Sequence, residues 1–416
     1  MSSGLDVEWC REQFPALRRQ HEGAPVAFLD GSAGSQVPQC VVDAVSRYLT
    51  EINANTGGTF ATSEATDDLL RSAHRAVADF LGSDDPELVV FGPNMTTLTQ
   101  FLARSLSRTW KPGDEVVVTR MEHDANFTPW VQAAEDAGAT VRHIGIRAED
   151  CTLDLDDLRR GMGKNTRLVA VGAASNAVGT VHPMREIAGV VHDAGARLFV
   201  DAVHYAPHRI VDVEDWGCDY VTCSAYKFFG PHIGMLWGKR ELLESLPVYK
   251  LRPVSDSVPD RWMIGTQSHE GIAGTLAAIE YLADLGRRHR PETADGSRRQ
   301  ALAAGFETIR THERELARRL VDGLGSLPGV RVWGITDPDR LEERVPTVSI
   351  THDRHSPKEM ATHLGRHGIF TWYGNYFALP LTEALGLEPD GMLRVGLLHY
   401  NTTGEIERLC STLAAL

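Results

Sequence analysis

The chain holds only six cysteines, Cys10, Cys40, Cys151, Cys218, Cys223 and Cys410, among 416 residues. No two form a CxxC pair and none has a histidine at metal-ligand spacing. A disulfide framework and a cysteine-based metal site are therefore excluded, and thiols in a reducing cytoplasm are expected. Long apolar runs are absent: no window approaches the ~18 uninterrupted apolar residues that a membrane span needs. The opening stretch MSSGLDVEWCREQF carries acids where a secretory leader has a basic and then an apolar segment. Clustered positive charge is missing as well. The net charge is −14, with lysines and arginines scattered among acids, which argues against a nucleic-acid binder and a polybasic membrane patch. Repeats and low-complexity segments are also lacking. With 42% hydrophobic and 24% charged residues, the composition is that of a globular protein with a large core, a smaller one and a small soluble substrate.

Strand-like apolar runs alternate with helical patterns, which predicts an α/β fold with a mainly parallel sheet and helices on its faces. The runs are ELVVFG at 87–92, DEVVVTR at 114–120, TRLVAVGAAS at 166–175, ARLFVDAV at 196–203 and CDYVTCSA at 218–225. One intervening helix is TTLTQFLARSLSRTW, closed by KPGD; another is PMREIAGVVHDAGA, with Gly195 as its stop. The polar, Gly- and Pro-interrupted stretch GRRHRPETADGSRRQ at 286–300 reads as a surface connection. Beyond it come a long helix through FETIRTHERELARRLVDGL, strands at VRVWGI and TVSITH, and the closing helix GEIERLCSTLAAL. The expected organisation is an N-terminal segment (1–25) packing on the small domain, a large domain (26–284) and a smaller α+β domain (285–416).

Two residues stand out for chemistry. Asp201 ends an apolar strand, so its carboxylate sits at the carboxyl edge of the sheet, where open α/β folds place their ligands. It either caps the following turn or faces a cation such as a protonated pyridine nitrogen, which would make a cofactor ring an electron sink. Lys227 follows the next strand in SAYKFFGPHIGMLWG, alone among aromatic and small residues. Desolvation there lowers an amine's pKa and leaves it free to attack an aldehyde, whereas a structural lysine would snorkel to water. GPNMTT at 92–97 lies between a strand and a helix and either simply caps that helix or offers amides and the Thr96 hydroxyl to a phosphate. His123, just past a strand, either lies on a cofactor ring or is a turn residue.

Seven segments, in order, resemble the class V aminotransferase family, and within it the cysteine desulfurase-like proteins. They are FLDGSAGSQVP at 28–38, MEHDANFTPW at 121–130, SNAVGTVHP at 175–183, VDAVHYAPH at 200–208, SAYKFFGP at 224–231, GTQSHEGIAG at 265–274 and MLRVGLLHYNT at 392–402. The resemblance implies the pyridoxal-phosphate transferase fold of the aspartate aminotransferase type (fold type I), with a seven-stranded sheet in the large domain. It implies that Lys227 holds pyridoxal 5'-phosphate as a Schiff base, that Asp201 pairs with the pyridine nitrogen and that His123 stacks on the ring. His204 would sit near the ring oxygen, and Met95 and Thr96 would hold the phosphate with Ser224. Tyr226 would replace a histidine usual in desulfurases. Thr266 would reach the phosphate of a neighbouring subunit, which implies a homodimer with a shared active site. Asn176 and Arg394 would hold the substrate carboxylate, for which a bidentate guanidinium is the natural partner. No metal ligand is expected.

One departure limits the resemblance. Desulfurases carry a mobile loop with an arginine and, five residues on, the cysteine that accepts sulfur. Here the aligned stretch is IFTWYGNYFALP at 369–380, with Trp372 at the arginine position and Phe377 at the cysteine position. Instead, Trp372, Tyr373, Tyr376 and Phe377 would crowd the mouth of the site and suit an apolar or larger substrate, or else merely pack the loop. Three functions follow: a β-eliminating carbon–sulfur lyase without a persulfide, an aminotransferase or epimerase for a specialised amino acid, or a non-catalytic pyridoxal-phosphate-binding protein.

Overall fold

A computed structural model describes residues 4–416. Its larger sheet has seven strands: β1 (Val89–Gly92), β2 (Glu115–Thr119), β3 (Thr140–Ile144), β4 (Thr166–Gly172), β5 (Arg197–Asp201), β6 (Tyr220–Ser224) and β7 (Gly234–Gly238). They lie in the order β1-β7-β6-β5-β4-β2-β3, and all run parallel except β7, which is antiparallel to both neighbours. The five apolar runs read from sequence are β1, β2, β4, β5 and β6. β3 escaped because it is an edge strand with mostly exposed side chains, and β7 because GMLWG is framed by glycines. The carboxyl ends of β1, β2, β4, β5 and β6 face one edge, and each leads into a segment singled out for chemistry.

A smaller antiparallel sheet comprises β8 (Val330–Trp333), β9 (Thr347–His352), β10 (Trp372–Gly374) and β11 (Met392–Gly396), in the order β8-β9-β11-β10. Leu316, Leu320, Ile350, Leu364, Val395 and Leu409 form its core against helices Arg298–Gly325, Pro357–Arg366 and Thr403–Ala414. Ala27 and Leu29, assigned to the large domain in the sequence reading, lie in this smaller core instead. The reason is a parallel pairing of Ala27–Phe28 with Ile369–Phe370, extended by a bridge from Asp30 to Gly396.

The stretch at 286–300 also differs from the surface connection expected. Helix His269–His289 runs through the boundary placed at 284, and the next helix already begins at Arg298. Gly286 is buried: a Cβ there would lie 1.9 Å from the Ala301 carbonyl oxygen, so this glycine permits close packing of the two helices and does not punctuate the chain. The N-terminal segment, whose residues 1–3 lie outside the described residues, packs on both units. Phe14 meets Tyr281 and Phe229 edge-on, while Arg11 donates to the Tyr400 carbonyl and pairs with Glu405. Among the described residues no helix is long and apolar enough to cross a membrane.

Candidate active site

Lys227 closes the single helical turn that follows β6. It is buried, and its amine donates to the Ser32 carbonyl at 2.5 Å. Burial pushes the amine down to about 7, reinforced by the Arg394 charge and opposed by Asp201, so a large share is unprotonated near neutrality. Asp201 is the last residue of β5 and accepts from the Val203 amide at 2.8 Å. Burial raises its carboxyl to about 6, against the pull of the Val203 amide and Lys227.

Both residues line an inner cavity of about 80 Å³ at the carboxyl edge of the sheet. Met95, Thr96 and Ser224 close one end, where Asn94 caps helix Met95–Ser107 through the Thr97 amide and the Met95 amide donates to Ser224 Oγ at 3.0 Å. Gly234 permits this approach, since a Cβ there would sit 2.3 Å from the Asn94 carbonyl carbon. His123, Asn176, His204 and Tyr226 also line it. His123 Nδ1 accepts from the Ala125 amide, and burial drives the imidazole down to about 4, so the ring is neutral. His204 is held through Nε2 by Thr347 Oγ1 at 3.0 Å, while its buried Nδ1 has no partner.

The inner cavity shares Thr96, His123, Asn176, Tyr226 and Lys227 with an outer one of about 740 Å³. Arg394, in the middle of β11, lines the outer cavity beside Trp372, its cross-strand neighbour on β10. Its NH1 donates to the Asn176 carbonyl at 2.7 Å, and its buried Nε has no partner. Burial lowers the guanidinium to about 10, which leaves it charged at neutral pH. Asn176 Oδ1 is likewise buried and unpartnered. Tyr373, Tyr376 and Phe377 line the same cavity, and no cysteine lines either one among the described residues. Thr266 is the one sequence-derived site residue not brought here; it lines a separate groove of about 1030 Å³ with Asn55 and Gly57.

Three further residues of the site carry no motif of their own in the sequence. Ser32 supplies the acceptor for Lys227, and Asp30, partly buried and raised by desolvation to about 6, lies near Arg394. Both stand in FLDGSAG, a segment read only for its resemblance. Glu122 lines the inner cavity, accepting from Thr119 Oγ1 and Asn126 Nδ2 at 2.6 Å each. The acid next to His123 in MEHDAN was the available signal. Burial raises the Glu122 carboxyl from 4.5 to about 8. Below 4.5 folded and unfolded chains both carry the proton; between 4.5 and about 8 only the unfolded chain sheds it, so stability falls across that window. Urea midpoints of the wild type are expected to drop more between about pH 5 and about pH 8 than those of Glu122→Gln. Equal drops would show that Glu122 titrates normally.

These residues fit pyridoxal phosphate. A carboxylate at a strand end would suit its ring nitrogen, a desolvated amine its aldehyde, and hydroxyls with a helix start its phosphate, while buried His204 Nδ1 and Asn176 Oδ1 have no partner in the chain. Comparison with known proteins agrees. The aminotransferase class-V family matches residues 27–409. An aminotransferase-like protein, FGM3, of Gibberella zeae is 33% identical over 98% of both chains, and a cysteine desulfurase of Pectobacterium atrosepticum is 32% identical over 98% of this chain and 97% of its own. The apo structure of the cysteine desulfurase from Thermococcus onnurineus superposes with a TM-score of 0.87 at 27% identity, covering 99% of this chain and 98% of that one. The chain belongs to the class-V aminotransferase family and is a pyridoxal-phosphate-dependent enzyme similar to the cysteine desulfurases.

Proposed function

We propose that the protein is a carbon–sulfur lyase that eliminates the β-substituent of a cysteine-like amino acid without forming a protein persulfide. The observation that carries the reading is the outer cavity's wall: it contains Phe377, Tyr373 and Trp372 and no thiol. All six cysteines are free, but Cys10, Cys151, Cys218 and Cys223 are buried, and burial raises the Cys223 thiol well above its usual range. None is placed to act as the nucleophile that a sulfur relay needs. The aromatic wall suits an apolar or extended group on sulfur.

Arg394 and Asn176 bind the α-carboxylate, using the unpartnered Nε of the first. Pyridoxal phosphate, when bound, supplies the electron sink that acidifies the Cα proton. Asp201 keeps a proton on the ring nitrogen. Lys227 takes the proton from Cα; the Cα–Cβ bond gains the electron pair as the Cβ–S bond breaks, and the sulfur leaves as a thiolate that picks up a proton. With one water, the remaining three-carbon fragment yields pyruvate and ammonia. The aromatic wall, exposed at Trp372, Tyr373 and Phe377 in the free chain, would be covered by an apolar group on the substrate sulfur. The reading goes with a homodimer in which Thr266 serves the neighbouring subunit's phosphate, since within one chain it lies in a groove bordered by the exposed Leu251.

Holoenzyme given cysteine and S-substituted cysteines with apolar groups is expected to release thiol and pyruvate in equal amounts, measured by mass spectrometry. It is also expected to hold no protein-bound sulfane sulfur afterwards. Amino transfer to a 2-oxo acid without thiol release would establish an aminotransferase instead. A persulfide on any cysteine, with activity lost on its replacement by serine, would return the chain to sulfur relay.

A further inference from the structure

The turn after β10 sits over the carboxylate side of the site in an unfavourable backbone conformation. Tyr376 and Phe377 both lie in the left-handed region, with φ of +56° and +59°, which side chains other than glycine rarely adopt. Such a conformation persists only where the surroundings fix it. Here Asn176 Nδ2 donates to the Tyr376 carbonyl at 2.9 Å, and the Asp124 amide donates to the Phe377 carbonyl at 2.6 Å. The Tyr376 hydroxyl donates to the carbonyl of Met392, two residues before Arg394 on β11. The turn is thus tied to the two residues assigned to the carboxylate and to the strand that carries one of them.

This conformation puts the Tyr376 ring on Arg394: the guanidinium carbon stands 4.1 Å from the ring centroid. At that distance the ring attracts the cation through its electron-rich face and covers the guanidinium, leaving the in-plane N–H groups for other partners. One of them, NH1, goes to the Asn176 carbonyl, and Nε is unpartnered. Arg394 is 4% exposed, although it lines a wide cavity beside the half-exposed Trp372.

We infer that Tyr376 is the positioning residue of the carboxylate anchor: its ring fixes the plane of Arg394, and its backbone carbonyl orients Asn176, so that an α-carboxylate meets a preset fork. This rests on Arg394 being that anchor. The same loop that lacks a sulfur-accepting cysteine thereby contributes to substrate recognition through a different residue.

The test compares binding of alanine, which has no group to eliminate, with that of ethylamine, which lacks the carboxylate, by calorimetric titration of the holoenzyme. Tyr376→Leu removes the ring, Tyr376→Phe keeps it, and Arg394→Ala removes the anchor. Tyr376→Leu is expected to weaken alanine binding about tenfold with ethylamine binding unchanged, while Tyr376→Phe stays within about threefold of the wild type. Equal weakening of both ligands, or of neither, in Tyr376→Leu overturns the inference; so does a Tyr376→Phe protein as impaired as Tyr376→Leu. If Arg394→Ala keeps the wild-type preference for alanine over ethylamine, the anchor assignment itself fails. If Arg394→Ala loses that preference and Tyr376→Leu keeps it, only the positioning role fails.

Discussion

Lys227→Ala protein is expected to lose turnover by at least about a thousandfold and to bind pyridoxal phosphate without a covalent link. No other lysine lines either cavity among the described residues, so no second amine stands ready to replace it. The expectation rests on placement and protonation together. The turn after β6 buries the amine, the Ser32 carbonyl orients it, and burial with the Arg394 charge lowers it to about 7. An amine in that state can both join an aldehyde and accept a proton near neutral pH, which a surface lysine cannot do efficiently. Wild-type protein should be yellow and should retain the cofactor after borohydride reduction, with the adduct on the peptide containing Lys227. A Lys227→Ala protein that still forms the reduced adduct would show that another group holds the cofactor.

The reasons these residues were legible in the sequence are topological. Asp201 ends one apolar strand and Lys227 follows the next, and parallel strands of one sheet bring their carboxyl ends to one edge whatever the intervening helices do. Arg394 lies in another sheet more than a hundred and fifty positions further on, and only resemblance linked it to the site. Local pattern misled where a glycine served packing: Gly286 reads as punctuation, yet it lets two helices touch. It was silent where chemistry depends on burial. Glu122 is an unremarkable acid in sequence, and only its enclosure beside Thr119 and Asn126 raises its carboxyl to about 8. Tyr376 was legible as an aromatic residue at the mouth. Its stacking on Arg394 follows from a left-handed conformation at Tyr376 and Phe377, positions where residue type gives no sign of it.

Arg394→Ala is expected to cost amino-acid binding on the order of 2–5 kcal/mol, roughly 30-fold to several thousandfold, while pyridoxal-phosphate binding stays near that of the wild type. The guanidinium is buried in the middle of β11, and burial lowers it only to about 10, so it carries a positive charge at every pH the enzyme would meet in a cell. Its visible partners are a carbonyl oxygen at Asn176 and the face of Tyr376, and the nearby Asp30 attracts it without forming a direct hydrogen bond to it. A buried cation with an unpartnered Nε and no close salt-bridge partner has unmet demand for an anion, which a substrate carboxylate would meet. The cofactor's assigned contacts lie at the other end, on Lys227, Asp201, Thr96 and Ser224, which is why the two affinities should separate. Titration of the variant with alanine and, separately, of its cofactor-free form with pyridoxal phosphate reads both. Unchanged alanine affinity would exclude the role, and equal loss of both affinities would show that Arg394 supports the fold of the site.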